Sequence, residues 1–411
     1  MIAAPNEKML QHGIDSNLNT TNAKGYGLKK SSRRRIKGAF LIFLLSCLSA
    51  GIWTPTAGTA KEASPSEIKK AVMLFSYRQG WWAVEDENRG ILRGMAVLGY
   101  IEGRNIDITR LYMNTKTENK TPQQMEVAAA HLLKEIKVID PDILIIMDDD
   151  ALRHVGAKLL DTELPIVFGG INLLVTDPAY GWITDTQRTA LADSLETPGH
   201  NITGVLERIA IASGFNLLHQ ILPDARTALF LSDNSLLSQQ VLQVAAEQKA
   251  FSNLPITIIG QLYTDDYEKM KRTILEYQEK VDCIVMFVPW TLVDDKGTHV
   301  PQEEVVRWIL ENSKRPGIAY LDILAEEGFL CGVVVDMVQQ GVHAGTMAGR
   351  IMKGEQPRNI PILDPVANRI TINLARAKQL GVEIPFEILK NADVVYKTMT
   401  LYPEVNQGVK P

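Results

Sequence analysis

The sequence predicts an α/β protein made of two similar lobes, each built on a parallel sheet. Three observations predict it. Apolar runs of strand length alternate with amphipathic helical segments. The order of those runs is written twice along the chain. The 411 residues are enough for two domains of ordinary size, and 45% hydrophobic against 22% charged residues marks a folded rather than a disordered chain.

The first element is a leader. "KKSSRRRIKGAFLIFLLSCLSAGIWTPTAGTA" carries a basic stretch at Lys29–Lys37, an apolar stretch at Ala39–Trp53 and small residues at Gly58-Thr59-Ala60. This is the layout of an export signal, and its apolar part falls short of the ~20 residues a membrane span needs. Cleavage near Ala60 and a periplasmic or extracytoplasmic mature chain are expected. "SRRRIK" resembles a twin-arginine signal, while the apolar stretch suits the general export route. Lipid anchoring at Cys47 is the alternative, opposed by the apolar sequence that continues past it. Eight of the 43 Lys/Arg but only two of the 48 Asp/Glu lie in residues 1–60, so the rest of the chain carries about −11. Such an acidic body excludes nucleic acid as the expected partner, because phosphate binding needs a basic face.

After a linker at 61–67, four strand-like runs appear in an order that then recurs. "KAVMLFSY" (70–77) is echoed by "RTALFLSD" (226–233), and "NIDITRLYMN" (105–114) by "PITIIGQLYTD" (255–265). "DILIIMDDD" (142–150) is echoed by "DCIVMFVPW" (282–290), and "LPIVFGGIN" (164–172) by "RPGIAYLDI" (315–323). The offset of roughly 140–160 residues is too long for a solenoid and suits two lobes. The helices agree. In "TPQQMEVAAAHLLKEIK", Thr121, Pro122 and Gln124 form a capping box, and Met125, Ala129, Leu132, Leu133 and Ile136 share one face. "TDDYEKMKRTILEYQEK" repeats the design with Thr264 as its expected cap.

Ligands of open parallel sheets bind beyond the carboxyl ends of the strands. Here those tips are Ser76-Tyr77, Asp148–Asp150, Gly169–Asn172 (including Gly170), Ser232–Asn234 (including Asp233), Pro289-Trp290 and Tyr320–Asp322. Facing lobes would bring them to one cleft, whose hydroxyl, carboxylate, amide and aromatic groups suit a small polar or zwitterionic molecule. Asp149 and Asp150 also read as an acidic N-cap for "ALRHVGAKLL". Trp81 or Trp82 stacks on a ligand or packs between lobes, and Trp290 faces the same choice. Glu207 and Asp336, near the expected lobe crossovers, meet a ligand amine or are ordinary helix-start charges.

Motifs for catalysis are missing from the sequence. It holds no dinucleotide or P-loop glycine pattern, no G-x-S-x-G elbow and no close histidine pair. No catalytic residue, metal or cofactor is expected. His131 reads as a surface or packing residue. Cys283 and Cys331 sit in apolar runs and read as buried thiols.

"NITGV" (201–205), "LLHQILPDARTALFLSDNS" (217–235), "GVVVDMVQQGVHAGTMAGRIMKGEQPRNIPI" (332–362) and "RITINLARAKQLGVEIPFEILKNADVV" (369–395) resemble the ABC transporter substrate-binding proteins of the tryptophan/tyrosine-binding-like family. The run from Ile372 to Pro385 is the most specific of these. The resemblance implies a type I periplasmic-binding-protein fold, two doubly wound lobes joined by a hinge. Lobe one is then expected at 68–205 plus 336–363, lobe two at 206–335 plus 364–400, and a tail at 401–411. It implies a monomeric, non-enzymatic protein that captures a small, amine-bearing molecule and delivers it to an ABC permease. Ser76, Asp148, Asn172, Glu207, Ser232, Asp322 and Asp336 are the positions able to serve amino-acid-type recognition. A sensor signalling to a separate membrane kinase or cyclase is the alternative. A two-lobed glycosyltransferase-like enzyme is opposed by the export signal and the missing nucleotide motifs.

Overall fold

Runs rich in Ile, Leu, Val and Met become strands buried on both faces, as parallel strands covered by helices must be. The computed structural model of the chain describes residues 68–173, 175–176, 182–184, 187–188, 190–364 and 368–401. The export signal, Cys47, the linker at 61–67, part of the insertion after Asn172, Pro365 and the tail beyond Leu401 lie outside these residues.

The first half of the chain supplies β1 (Lys69–Phe75), β2 (Ile106–Tyr112), β3 (Ile143–Met147), β4 (Ile166–Ile171), a small hairpin of β5 (Trp182–Thr184) and β6 (Gln187–Arg188), and β7 (Ile202–Leu206). One sheet runs β2-β1-β3-β4-β7, every pairing parallel. The second half supplies β8 (Thr227–Ser232), β9 (Thr257–Tyr263), β10 (Cys283–Met286), β11 (Gly317–Ala319), β12 (Cys331–Val335), β13 (Asn368–Asn373) and β14 (Val394–Tyr396). These form a sheet ordered β9-β8-β10-β11-β12-β13-β14, parallel except between β12 and β13. The four strands of each sequence repeat therefore occupy matching places, and the fold is the expected pair of doubly wound lobes.

The connecting helices are α1 (Trp82–Val97), α2 (Pro122–Ile139), α3 (Asp149–His154), α4 (Ile211–Ile221), α5 (Leu236–Glu247), α6 (Tyr267–Tyr277), α7 (Gln302–Asn312), α8 (Asp322–Glu327), α9 (Met337–Met352), α10 (Leu374–Leu380) and α11 (Phe386–Asn391). α2 starts with the full Thr121–Gln124 capping box and Pro122 in the first turn. His131 on the same helix is exposed. α6 starts later than expected. β9 runs to Tyr263 and the chain must turn first, so Asp266 rather than Thr264 is the cap, accepting from Lys269 N–H at 2.8 Å. The Thr264 hydroxyl instead accepts from Asp266 N–H at 3.1 Å and holds that turn. Cys283 and Cys331 are buried free thiols.

The chain passes between the sheets after β7, after β12 and again before β13. At the last passage Leu363 lies alongside β7, exchanging backbone hydrogen bonds with Leu206 (2.8 Å) and Gly204 (2.9 Å). Arg208 pairs with Asp364 at 2.8 Å across the same strands. α9, entered at the second passage, returns to the first sheet and packs along α1.

Candidate functional site

The carboxyl ends of β1, β3 and β4 face those of β10 and β11 across a cavity between the lobes. Its walls include Tyr77, Trp82, Asp148, Asn172 and Glu207 on one side and Leu237, Ser238, Phe287, Trp290 and Leu321 on the other. The space is about 50 Å³, room for only a few waters.

The three aspartates after β3 diverge. Asp148 adopts φ 69° and ψ 160°, a region essentially reserved for glycine, while its N–H stays in the sheet on Gly169 O at 2.9 Å. Its side chain makes no capping bond to α3, and its Oδ2 is buried without a partner. Asp149 turns the other way and accepts from the N–H groups of Asn172 (3.1 Å) and Leu173 (3.2 Å), joining the ends of β3 and β4. The acidic-cap expectation is therefore corrected. Ser76, arriving on the neighbouring strand, bonds the start of α3 instead, accepting from Ala151 N–H at 2.9 Å and donating to Met147 O at 3.0 Å. That commits the fully buried Ser76 hydroxyl to the scaffold rather than to a ligand.

Two more carboxylates meet Asp148. Glu207 sits on the first passage between lobes. Its N–H donates to Ile171 O, its Oε1 accepts from Asn172 Nδ2 at 3.2 Å, and its Oε2 is buried without a partner. Glu87, on the buried face of α1, has no partner for either oxygen. A methyl placed on Gly170, where φ is +69°, would stand 3.4 Å from a Glu87 oxygen and 3.5 Å from an Asp148 oxygen. Burial, and next the charge of the Asp148 carboxylate, holds Glu87 well above the usual carboxylate range. Burial and then Glu207 do the same to Asp148. Burial pushes Glu207 up to about 8. Tyr77 is raised by burial and by the surrounding aspartates, so its phenol stays neutral. Lys116 near Asp148 and Arg208 near Glu207 pull the other way without outweighing burial, and an incoming cation favours the ionised form of such dehydrated carboxyl groups.

An aromatic cluster closes the site. Tyr77 and Trp81 from the first lobe stand 6.1 and 6.0 Å from Trp290 of the second, ring centre to ring centre. Trp81 thus packs between lobes, and Trp82 is the member that lines the cavity. Trp290 is held by its N–H on Asp233 (3.1 Å) and its indole on Gln302 (2.8 Å).

Other expected positions serve the second lobe internally. Asp233 also accepts from the hydroxyls of Ser235 (3.0 Å) and Ser238 (2.7 Å). Ser232 is fully buried and outside the cavity wall. Asp322 binds Arg369 (2.7 Å) and Tyr396 (2.9 Å). Asp336 caps α9 through Gln339 N–H (3.0 Å) and faces Arg369 at 3.3 Å. These partners take Asp322 and Asp336 away from the cavity. Sequence reasoning missed Glu87, whose signal was its helical phase with Ala83, Gly90, Ile91 and Gly94, all buried. It also missed the apolar wall of Leu237 and Val241 on α5. Among the described residues, no set of three His, Cys, Asp or Glu is arranged to hold a metal ion.

Residues 83–396 match the family described as ABC transporter substrate binding protein. A tyrosine-binding protein of Clostridioides difficile (strain R20291) is 20% identical over 304 residues, 73% of this chain and 78% of the relative. A solved structure of an ABC domain in complex with L-Trp from Streptococcus pneumonia is 21% identical with a TM-score of 0.59, covering 80% of this chain and 99% of that one. The ligand-free, open structure of a substrate binding protein with adhesive properties from Clostridium difficile is 20% identical with a TM-score of 0.57, covering 80% and 100%.

Proposed function

This chain belongs to the ABC transporter substrate-binding protein family, and on that premise we propose that its cargo is a small amine-bearing solute gripped by Asp148 and Glu207. Proteins of this family capture a small molecule outside the cytoplasm and work with an ABC permease. The observation that carries the amine is the pair of buried carboxylates, each with an oxygen lacking a partner, in a cavity whose opposite wall belongs to the second lobe. A cation placed there satisfies both oxygens and regains the charge pairing that burial denied them. Trp82, Phe287 and Trp290 offer faces on which an apolar or aromatic body rests. The amino-acid ligands named for the tyrosine-binding and L-Trp-bound relatives fit that amine requirement.

The finer assignments belong to the same proposal. The lobes divide as 68–205 plus 336–363 and 206–335 plus 364–400, the mature chain begins after Ala60, and it acts as a monomer. Calorimetric titration of the protein, refolded to strip carried solute, against amines and matched neutral alcohols tests the ligand assignment. Amines are expected to bind and the alcohols to fail. Equal binding of an alcohol and its amine would remove the role given to the two carboxylates.

A further inference from the structure

We infer that Gln302 and Glu327, neither of which lines the cavity, are positioning residues of the site: Glu327 orients the Gln302 amide, and Gln302 fixes the Trp290 indole that forms part of the wall. This holds whatever the solute, since the contacts belong to the second lobe alone.

Trp290 is anchored twice. Its backbone is held by its N–H on Asp233 at 3.1 Å and by its carbonyl oxygen, which accepts from His299 Nε2 at 2.9 Å. Its ring is held by one hydrogen bond among the described residues, from Nε1 to Gln302 Oε1 at 2.8 Å. The first lobe brings Tyr77 and Trp81 to 6.1 and 6.0 Å from that ring and the Lys116 ammonium to 5.9 Å. Lobes that part take those three away. The Gln302 bond stays, and keeps the indole set for capture.

An indole only donates, so Gln302 must offer it the amide oxygen. Glu327, the last residue of α8 and 2% exposed, keeps the amide that way round. The Gln302 amide nitrogen donates to Glu327 Oε1 at 3.1 Å and Oε2 at 3.0 Å. Turned over, the amide would set its NH2 against the indole N–H, donor against donor. Burial raises the Glu327 carboxyl to about 8, and protonated or ionised it keeps an oxygen that accepts from Gln302. α7, which begins at Gln302, also carries Trp308, a ring outside this chain of bonds.

The test reads the full chain, labelled with 5-fluorotryptophan and free of ligand, by fluorine NMR. Trp290→Phe and Trp308→Phe assign the two lines by their loss. Glu327→Gln keeps an oxygen acceptor at the same reach and is expected to leave the Trp290 line in place. Glu327→Met has none, and is expected to shift or split that line while the Trp308 line stays. Should it fail to fold, Glu327→Asp, whose shorter side chain withdraws the acceptor, makes the same test. Gln302→Met is expected to move the Trp290 line as well, and Glu327→Met added to it to move the line no further, as for two residues acting through one contact. A Trp290 line unmoved by Gln302→Met or by loss of the Glu327 acceptor overturns the inference. So does a Trp308 line that moves with it, or an equal shift in Glu327→Gln, because Glu327 would then hold the lobe rather than the ring. A further shift in the double variant gives Glu327 another route to the ring and overturns the relay through Gln302. No ligand enters the experiment, so the amine assignment stands or falls separately.

Discussion

Asp148 joins backbone strain to an unpartnered carboxyl oxygen at one position. Its φ of 69° and ψ of 160° suit glycine and cost another residue ~1–3 kcal/mol. Asp148→Gly is therefore expected to raise the melting temperature of the empty protein, by ~1 kcal/mol of stability once glycine's own entropy is counted, while abolishing amine binding. Asp148→Asn is expected to weaken binding at least ten-fold with the empty protein's melting point unmoved. A loss of stability in both variants would make Asp148 structural. Glu207 carries a pH signature. Its carboxyl is raised from 4.5 to about 8, so the folded state holds a proton that the unfolded chain has lost. That stability is fully present below pH 4.5 and is lost as pH rises through 8, on the order of several kcal/mol. Glu327, also raised to about 8 by burial, adds to the same slope from outside the cavity. Melting curves between pH 5 and 9 are expected to flatten in both Glu207→Gln and Glu327→Gln, but only the former removes proton uptake or release on binding amine. The aspartate tip was legible because parallel sheets present ligands at strand ends. Which carboxylate faces inward was not, since that depends on a backbone angle.

The contact between α1 and α9 decides where Glu87 stands. A methyl on Gly90 would come within 2.1 Å of Val338 O, and one on Gly345 within 2.1 Å of Ile91 O. The two backbones touch, and no side chain can yield to make room. Gly345→Ala is expected to cost ~1–3 kcal/mol or more, lowering the melting temperature by several degrees. It is also expected to weaken amine binding, because α1 carries Glu87 and Trp82. Gly156→Ala, whose methyl would meet only the ends of the Leu152 and Ile146 side chains at 2.7 and 3.0 Å, is the milder comparison; equal losses at both positions would deny the backbone contact its importance. The strands around this pair were readable from composition alone, and so was the α2 cap. The helix contact was not. Gly90 and Gly94 together with Gly341 and Gly345 are spaced for close approach, but spacing cannot say which two helices meet when 240 residues separate them.

At the scale of the whole molecule, the duplicated strand order fixed the architecture because each repeat folds into the same arrangement of neighbours. The closed cleft follows from contacts that no repeat encodes. Tyr77 and Trp81 meet Trp290 across the lobes at 6.1 and 6.0 Å, and the cavity of about 50 Å³ is too small for an amine the size of tyramine to enter without the lobes parting. Ligand touching both lobes only when they are together must favour the closed arrangement by its differential affinity. Small-angle scattering is expected to give a smaller radius of gyration with saturating amine than without. Trp290→Ala removes an aromatic contact between lobes, so it is expected to leave the empty curve unchanged while raising the amine concentration needed for half of the contraction. Superimposable curves at saturation would mean that the lobes do not move, and the amine would then have to reach Asp148 by another route.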